Sequence, residues 1–498
     1  MNEQSSLPPQ QTTTESSSSM ISFPEPDGVL AMKPSLKKYL GYLAFFGPGA
    51  VLVSITIGQG QLILGPQIGG WAGFRLLWLI TLNLGSYIIA YIGCRFTMLS
   101  GIGMMDMFAI KTRRGWLNWL FILIMLVFIP LFAATIMTTL GQSLQWIIGR
   151  GHYLYWGISF CLLAALLVLM GRYKLLEYTQ AFFVAVLGIG ALLSVAIIRP
   201  DILEMIPHFF LIGDVPSYPP WVDLIEGFSK TPIPLLMLGY LGTLTVTLVP
   251  LVGYLGWMKV KHWGIFKGKK DPEGFSRERL ELFKRHGSLS YLPNDEHEIG
   301  KAKTLLKPLL CDLCIAFILV SLISAAYMAA GKYLLGPQLD GTYLLPSDMN
   351  LIRTQSVIFS HMASWLEPLF KLSVVFALFG TVYAGFEGVS RMMYEAGKGM
   401  SKKIAGTSYR RFVVVLLVYI LSTSIPLAVL MSLGLSVLLI LSITLLFIGV
   451  VGVIMYGIGA VYMSYTLLPE RYRPSRLLLA MGILGIILLV IPFLFLFV

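Results

Sequence analysis

A short run of glycines and amides interrupts an apolar stretch near the start of the chain. Residues 46–73 read FGPGAVLVSITIGQGQLILGPQIGGWAG, and at their centre stand Gly58, Gln59, Gly60 and Gln61. Glycine weakens a helix, and an amide side chain is costly to bury in hydrocarbon. A helix that breaks in mid-membrane frees backbone groups and half-helix ends, which is where secondary transporters bind substrate. The run therefore predicts a broken membrane helix and a substrate site.

A second interruption lies in TLTVTLVPLVGY, residues 243–254, where Pro250 and Gly253 fall in mid-membrane. Proline removes a helix hydrogen bond and clashes with the preceding turn. The two interruptions stand in the first and sixth apolar spans. Breaks at corresponding positions, five spans apart, indicate an inverted repeat of two five-helix units.

The composition is that of a membrane protein, since 56% of the 498 residues are hydrophobic and only 12% are charged. Soluble proteins carry about 25% charged residues. We predict an all-α polytopic membrane protein with about 11 transmembrane helices. The spans are placed near 39–73 (broken), 76–99, 117–141, 154–171, 178–198, 232–257 (broken), 308–332, 361–390, 411–431, 434–466 and 477–497.

Basic residues are concentrated in alternate connections between the predicted spans. The net charge is +12, and 29 of the 37 Lys and Arg residues fall in the N-terminal tail and in segments 111–114, 172–174, 258–307, 391–411 and 471–476. Such an asymmetry is a topology signal, and it argues against a nucleic-acid partner. It predicts a multi-pass protein of the plasma membrane with a cytoplasmic N-terminus and an outside C-terminus.

The same patterns divide the chain into segments. We predict a disordered cytoplasmic tail over 1–38, a first five-helix repeat over 39–198, an extracellular loop over 199–231, a second repeat over 232–466 with a basic cytoplasmic loop over 258–307, and a cytoplasmic link with the eleventh helix over 467–498. Within the basic loop, FSRERLELFKRHG indicates a surface helix near anionic lipid.

In the two interrupted spans the sequence resembles the Nramp family of divalent-metal transporters. GPGAVLVSITIGQGQLILGPQIGG is similar to that family's first helix, with its GP opening and central DPGN, and TLTVTLVPLVGYLGW is similar to its sixth helix, with an MPH motif followed by a tyrosine. Weaker matches follow in order at MLSGIGMMDM, FAATIMTTLGQSLQWIIG and RPDILEMIPHFF. The resemblance covers most of residues 40–465 and implies a leucine-transporter-like fold with broken helices one and six.

Carried over residue by residue, the resemblance implies a stripped metal site. The family's aspartate and asparagine correspond to Gly58 and Gln61, its methionine, proline and histidine to Val249, Pro250 and Leu251, its tyrosine to Tyr254, its second histidine to Gly256, and its acidic proton pair to Phe132 and Thr135. A thioether selects transition metals, and a carboxylate offsets the dehydration of a divalent ion. Tight binding of dehydrated Mn²⁺ or Fe²⁺ is therefore not expected, and the metal ligands stay unassigned.

The candidate substrate-binding residues are Gly58, Gln59, Gly60, Gln61, Val249, Pro250 and Tyr254, and the candidate coupling or pathway residues are Thr135, Thr247 and Lys371. Each has a structural alternative. The two glutamines either bind substrate or cap the half-helices, and both roles can hold together. The tyrosine either closes the site or packs. The lysine either faces an anionic solute or extends its ammonium group to the membrane surface.

Three functions follow from these residues. The first is an Nramp-related secondary-active transporter of an ion or metal ion with an altered site. The alternatives are a transporter of a small polar or anionic organic solute, and a non-transporting sensor or assembly partner. No cofactor and no enzymatic activity are expected, since the sequence holds no P-loop or HExxH motif. The expected partners are the lipid bilayer and a small ion or molecule, with any protein partner unknown.

Overall fold

The computed structural model describes residues 20–171, 173–225, 231–338, 340–345 and 367–497. Helices dominate, and the only strands in this part of the chain are β1 (Gly336–Pro337) and β2 (Tyr343–Leu344), an antiparallel pair. The α-helices are α1 Leu36–Gly41, α2 Pro48–Ile57, α3 Gln59–Ala72, α4 Trp78–Leu82, α5 Leu84–Ser100, α6 Met104–Lys111, α7 Trp116–Ile148, α8 Tyr153–Leu169, α9 Tyr173–Ile198, α10 Ile202–His208, α11 Ile233–Leu244, α12 Leu248–Val260, α13 Pro272–His286, α14 Glu296–Leu305, α15 Lys307–Leu334, α16 Glu367–Lys398, α17 Lys402–Gly406, α18 Tyr409–Ser432, α19 Val437–Leu445, α20 Gly452–Thr466 and α21 Arg476–Leu494.

Long apolar helices are present at most of the predicted spans. Within the described residues, nine helical segments are individually long and apolar enough to span a membrane, or up to ten if α1 and the 3₁₀ turn after it are joined to α2 across a 62° bend. The shorter apolar helix α8 and the broken pair α2–α3 lie at the predicted fourth and first spans. The protein is therefore an all-α integral membrane protein, as its composition predicts.

Ion pairs and ring contacts show which connections between helices lie on the same face of the bundle. On one face, which we call the basic face, Arg471 pairs with Glu296 at 2.8 Å and Lys398 with Glu273 at 3.0 Å. On the opposite face, Lys332 pairs with Glu204. The Phe23 ring stacks on Tyr472 of the basic face, whereas the ring of Phe495 contacts Trp78, whose indole donates to the Asp214 carbonyl of the opposite face. The two ends of the described chain therefore lie on opposite faces.

The first predicted break is present, and it is confined to Gly58. This residue has φ −53° and ψ −135°, so it ends α2 and precedes α3, while Gln59 already belongs to α3. Helix α3 is held against α15 by backbone contact. A Cβ on Gly69 would lie 2.0 Å from the Met328 carbonyl oxygen, and one on Gly331 would lie 2.1 Å from that of Pro66. Small residues permit this close packing in membranes.

The second break is also present, but the sequence prediction of its position was wrong. Helix α11 ends at Leu244 and α12 begins at Leu248, so the break spans Thr245 to Thr247. Pro250 falls in the first turn of α12, where the backbone nitrogen has no intrahelical acceptor to lose. A proline in that turn is tolerated, and therefore it does not break the helix.

Other predicted segments can also be compared with the structure. Residues 20–38, predicted to belong to a disordered tail, include α1, and the Ile21 amide donates to the Tyr291 carbonyl at 3.0 Å. Residues 1–19, and 361–366 of the predicted eighth span, lie outside the described residues. The surface helix predicted in the basic loop is present as α13.

Candidate functional site

The first break is shaped by a threonine of α16. Thr381 donates through Oγ1 to the main-chain carbonyls of Ser54, at 3.1 Å, and Ala377, at 2.9 Å. A Cβ on Gly58 would lie 1.7 Å from that Oγ1. Only a glycine leaves room for the Thr381 hydroxyl at the end of α2. The hydroxyl in turn satisfies a carbonyl near the end of α2.

The two glutamines of the break make buried hydrogen bonds to threonines. The hydroxyl of Thr135 on α7 donates to Oε1 of Gln59 at 2.9 Å, and Nε2 of Gln61 donates to Thr243 on α11 at 2.5 Å. Neither half-helix receives a side-chain cap from them, so the predicted capping role is wrong. Among the described residues, Nε2 of Gln59 and Oε1 of Gln61 have no hydrogen-bond partner. Each glutamine therefore keeps one buried amide atom unsatisfied next to the break.

The second break is tied to an irregular segment of the tenth span. Residues Leu446–Val451 form a π-helix, whose wider turn frees backbone groups. The hydroxyl of Thr245 donates to the Gly449 carbonyl of this segment at 2.6 Å, and the amide of Val246 donates to Ser86 at 3.0 Å. These bonds satisfy the extended backbone between α11 and α12.

A small cavity lies between the two breaks. Its volume is about 40 Å³, which is room for only a few water molecules. The hydroxyl-bearing lining residues come from four helices or breaks and are Thr56, Thr243, Thr247 and Thr381. Among the described residues, no charged side chain lines it, and its sulfur comes from Cys161 of α8. The rest of the wall is apolar, so the cavity offers neutral oxygens and one thiol to a ligand.

The structure brings part of the predicted site to this cavity. Gly60, Thr247 and Val249 line it, together with Phe132, which the resemblance places at a proton-relay position. Gln59 and Gln61 are buried beside it and reach the threonines described above. The remaining candidates, Gly58, Pro250, Tyr254, Thr135 and Lys371, are not among its lining residues.

Two of those candidates have other partners. The ammonium group of Lys371 lies 4.6 Å from the centre of the Trp146 ring, near the end of α7. The hydroxyl of Tyr254 donates to the carboxylate of Asp312. Neither contact faces the cavity, which leaves it without the fixed cation that an anionic solute would require.

Asp312 is a functional candidate that sequence reasoning missed. It lies on α15 with no exposed surface, and it accepts from the Gly47 amide at 2.9 Å. The signal was available, because an acid within an apolar span is expensive and marks function by default. It stood between Cys311 and Cys314, which drew attention as a spaced cysteine pair but are free thiols.

A cluster of ion pairs closes the basic face beneath α16. Lys259 lies 3.1 Å from Glu273 and 3.6 Å from Glu395, and Lys398 pairs with both glutamates. Burial raises the pKa of nearby Asp106 to about 6, against the opposing effect of Lys398. Burial alone would raise the pKa of Glu273, but the two ammonium groups hold it below its ordinary value. The predicted helix-terminal pair of Glu387 and Arg391 is confirmed at 2.6 Å.

No ready-made metal centre is visible in the described residues, where no three His, Cys, Asp or Glu side chains converge as ligands. Among the described lining residues of the cavity, none supplies a carboxylate or a thioether.

The architecture matches known transporter structures. A variant of the manganese transporter of Eremococcus coleocola is 15% identical over 93% of this chain and 88% of that chain, with a TM-score of 0.63. The same transporter in complex with an aromatic bis-isothiourea compound is 14% identical over the same shares, with a TM-score of 0.60. MHP1, a nucleobase-cation-symport-1 family transporter, is 11% identical over 89% of this chain and 90% of that chain, with a TM-score of 0.50.

No protein-family model and no curated protein sequence matches the chain. At these identities the structural likeness establishes the fold. Helix breaks in the first and sixth predicted spans and this likeness together show that the chain has the leucine-transporter-like fold.

Proposed function

We propose that this protein is a secondary-active membrane transporter, related to the Nramp family, that carries a small cation through the cavity between its two helix breaks. The observation that carries the proposal is the position of that cavity. It is walled by residues on both sides of both breaks, Thr56 and Gly60 at the first and Thr243 and Val249 at the second. Freed backbone and half-helix ends at such a place are the substrate-binding elements of transporters with this architecture.

Volume and chemistry favour an ion over an organic solute. About 40 Å³ accommodates an ion with a few of its water molecules, and no cationic side chain among the described residues lines the space to attract an anion. Threonine hydroxyls and main-chain carbonyls are hard oxygen donors, which suit Mg²⁺ better than the softer transition metals. Without a carboxylate the cation is held weakly, so we expect modest affinity and partial retention of water.

The distribution of basic residues supports an orientation of the protein in the membrane. We propose that the basic face is cytoplasmic and that the protein resides in the plasma membrane, because Lys and Arg concentrate in the connections of the basic face.

The test is cation uptake into proteoliposomes that contain the purified protein, with Mg²⁺ and Mn²⁺ supplied separately and pH recorded on both sides. We expect saturable Mg²⁺ uptake that exceeds Mn²⁺ uptake. In Thr247→Val, which removes a lining hydroxyl at equal volume, the KM for Mg²⁺ should rise roughly tenfold, the effect of losing about 1.4 kcal/mol of binding.

The matched control is Thr423→Val. This threonine lies on α18, away from the cavity, and its hydroxyl donates to the Tyr419 carbonyl of its own helix at 2.7 Å. Its uptake should equal that of the parent protein. Absence of saturable flux for both ions, from correctly folded protein, overturns the proposal, and Mn²⁺ uptake above Mg²⁺ uptake overturns the assignment of the donor set.

A further inference from the structure

The carboxylate of Asp312 joins three segments of the bundle on the side of the cavity nearer the basic face. On its own helix α15 it has no exposed surface. Towards α2 it accepts from the amide of Gly47 at 2.9 Å, just before the first half-helix, and it packs against Gly49 in the first turn of that helix. Towards α12 it accepts from the hydroxyl of Tyr254, in the second half-helix. One side chain therefore holds the two broken spans together.

The bonds to Asp312 depend on its charge. A carboxylate accepts several hydrogen bonds, and bonds to an ionised acceptor are roughly twice as strong as neutral ones. The start of α2 adds a favourable helix dipole for a negative charge. When Asp312 takes up a proton, one oxygen becomes a donor and the charge disappears, so the hold on α2 and α12 weakens.

No cation neutralises this carboxylate permanently. Among the described residues, no Lys, Arg or His nitrogen lies within 4 Å of Asp312, and α2 and α3 carry no titratable side chain. Glu177 of α9 is paired with Lys261, at the end of α12, at 2.7 Å. The titratable or charged groups that face Asp312 from the packed elements are Tyr87, Cys94, Glu177, Tyr254, Lys261 and Cys311.

The Glu177–Lys261 pair lies on the other side of the same backbone. A Cβ on Gly47 would lie 2.4 Å from Oε1 of Glu177 and 3.3 Å from Nζ of Lys261. A Cβ on Gly49 would lie 2.7 Å from Oδ1 of Asp312. The start of α2 therefore lies between the Glu177–Lys261 ion pair and the carboxylate of Asp312. Loss of either charge in the ion pair would leave the other ion without its counter-ion, whereas protonation of Asp312 would leave no ion unpaired.

We propose that Asp312 is a proton-binding residue that couples opening of the cavity to pH. As an anion it holds α2 and α12 against α15 and keeps the cavity closed towards the basic face. A proton from water on that face, taken up on a carboxylate oxygen, releases both half-helices. This inference rests on the proposed transport function and deepens it by naming the coupling ion and its site.

The test follows access to Cys161, a native thiol that lines the cavity and is 1% exposed. In a Cys311→Ser/Cys314→Ser background, the purified full chain is labelled with a small maleimide between pH 5 and pH 8. The rate at each pH is divided by the rate for the same protein unfolded in detergent, which removes the pH dependence of the thiol itself. Cys161→Ala gives the residual labelling of Cys94.

We expect normalised labelling to rise as pH falls, by at most about tenfold per pH unit, the limit for one linked proton. Asp312→Asn should label fast at every pH, and Asp312→Glu should recover a pH dependence. Glu177→Gln, a matched change of the neighbouring acid, should keep the parent's slope. A parent protein without pH dependence, or an Asp312→Asn variant with the parent's profile, overturns the proposal.

A second variant guards against misfolding of Asp312→Asn. Tyr254→Phe removes one donor to the anion and leaves the carboxylate in place, so the midpoint of the labelling profile should move to higher pH. An unchanged midpoint contradicts the proposal. Because labelling needs no cargo, absence of ion flux in proteoliposomes refutes the transport function separately from the proton site.

Discussion

A Cβ on Gly58 would lie 1.7 Å from the hydroxyl oxygen of Thr381, which itself donates to the Ser54 carbonyl near the end of α2. The position of the Thr381 hydroxyl therefore requires a glycine at position 58, and the glycine in turn leaves the space that the hydroxyl occupies. The break in the first span exists where a side chain from α16 occupies the space that a helical residue would need, and where its hydroxyl satisfies a carbonyl near the break.

Gly58→Ala is expected to destabilise the protein by at least about 1–3 kcal/mol, the usual penalty for overpacking a filled interior. The clash is with Oγ1, Cβ and Cγ2 of Thr381, and rotation about the Cα–Cβ bond leaves Cβ only 2.6 Å from the new methyl carbon. The matched control is Gly385→Ala, also at the cavity, where no heavy atom lies within 4 Å of the new Cβ. Thermal unfolding in detergent measures both, and equal midpoints for the two variants would contradict the steric explanation.

The bond between Gln61 and Thr243 should appear as coupling in a double-mutant cycle. Thr243→Val leaves the buried amide Nε2 of Gln61 without its partner at 2.5 Å, which costs about 1–3 kcal/mol. Gln61→Leu in addition removes the stranded group, so the double variant should lose less free energy of unfolding than the two single losses added together. Simple additivity would show that the bond contributes nothing to the break.

Lys259 should be far more important for stability than Lys267, a partly exposed lysine that follows α12. Its side chain is 2% exposed and contacts Glu273 and Glu395, so Lys259→Met should remove about 3 kcal/mol, the lower range for breaking a buried pair. Lys267 pairs instead with Asp27, which is 75% exposed, and Lys267→Met should cost less than about 1 kcal/mol. Unfolding midpoints of the two variants give the comparison, and a larger loss for Lys267→Met refutes it.

Asp106 should give the protein a pH-dependent loss of stability. Burial raises its pKa from 3.8 to about 6, so between these pH values the folded state holds a proton that the unfolded state has released. Stability therefore falls as pH rises from about 4 to about 6, by about 3 kcal/mol at most for a shift of this size.

Asp106→Asn removes that titration, and it should flatten this part of the stability profile. Thermal unfolding between pH 4 and pH 8 measures the difference between variant and parent. A difference that stays constant over this range contradicts the assignment, because Asp106 would then titrate alike in both states.

The sequence alone determined the features that depend on local composition. Apolar run lengths predicted about eleven spans, of which nine, or up to ten, are present as long apolar helices in the described residues, and the positions of Lys and Arg predicted which connections share a face. The run Gly58 to Gln61 predicted the first break, since two glycines and two amides in hydrocarbon disfavour a straight helix wherever they pack. The resemblance in spans one and six implied the fold.

Only the tertiary structure decided what those segments contact. The second break moved to Thr245–Thr247, where a π-helix carbonyl and Ser86 satisfy the freed backbone. Gln59 is hydrogen-bonded to Thr135, and Gln61 to Thr243. Tyr254 is hydrogen-bonded to Asp312, a residue that the sequence analysis missed. Each of these partners lies at least 58 residues away along the chain. Local propensity carries no information about such pairs, because buried polar groups take whichever partner the packing of distant helices brings within hydrogen-bond distance.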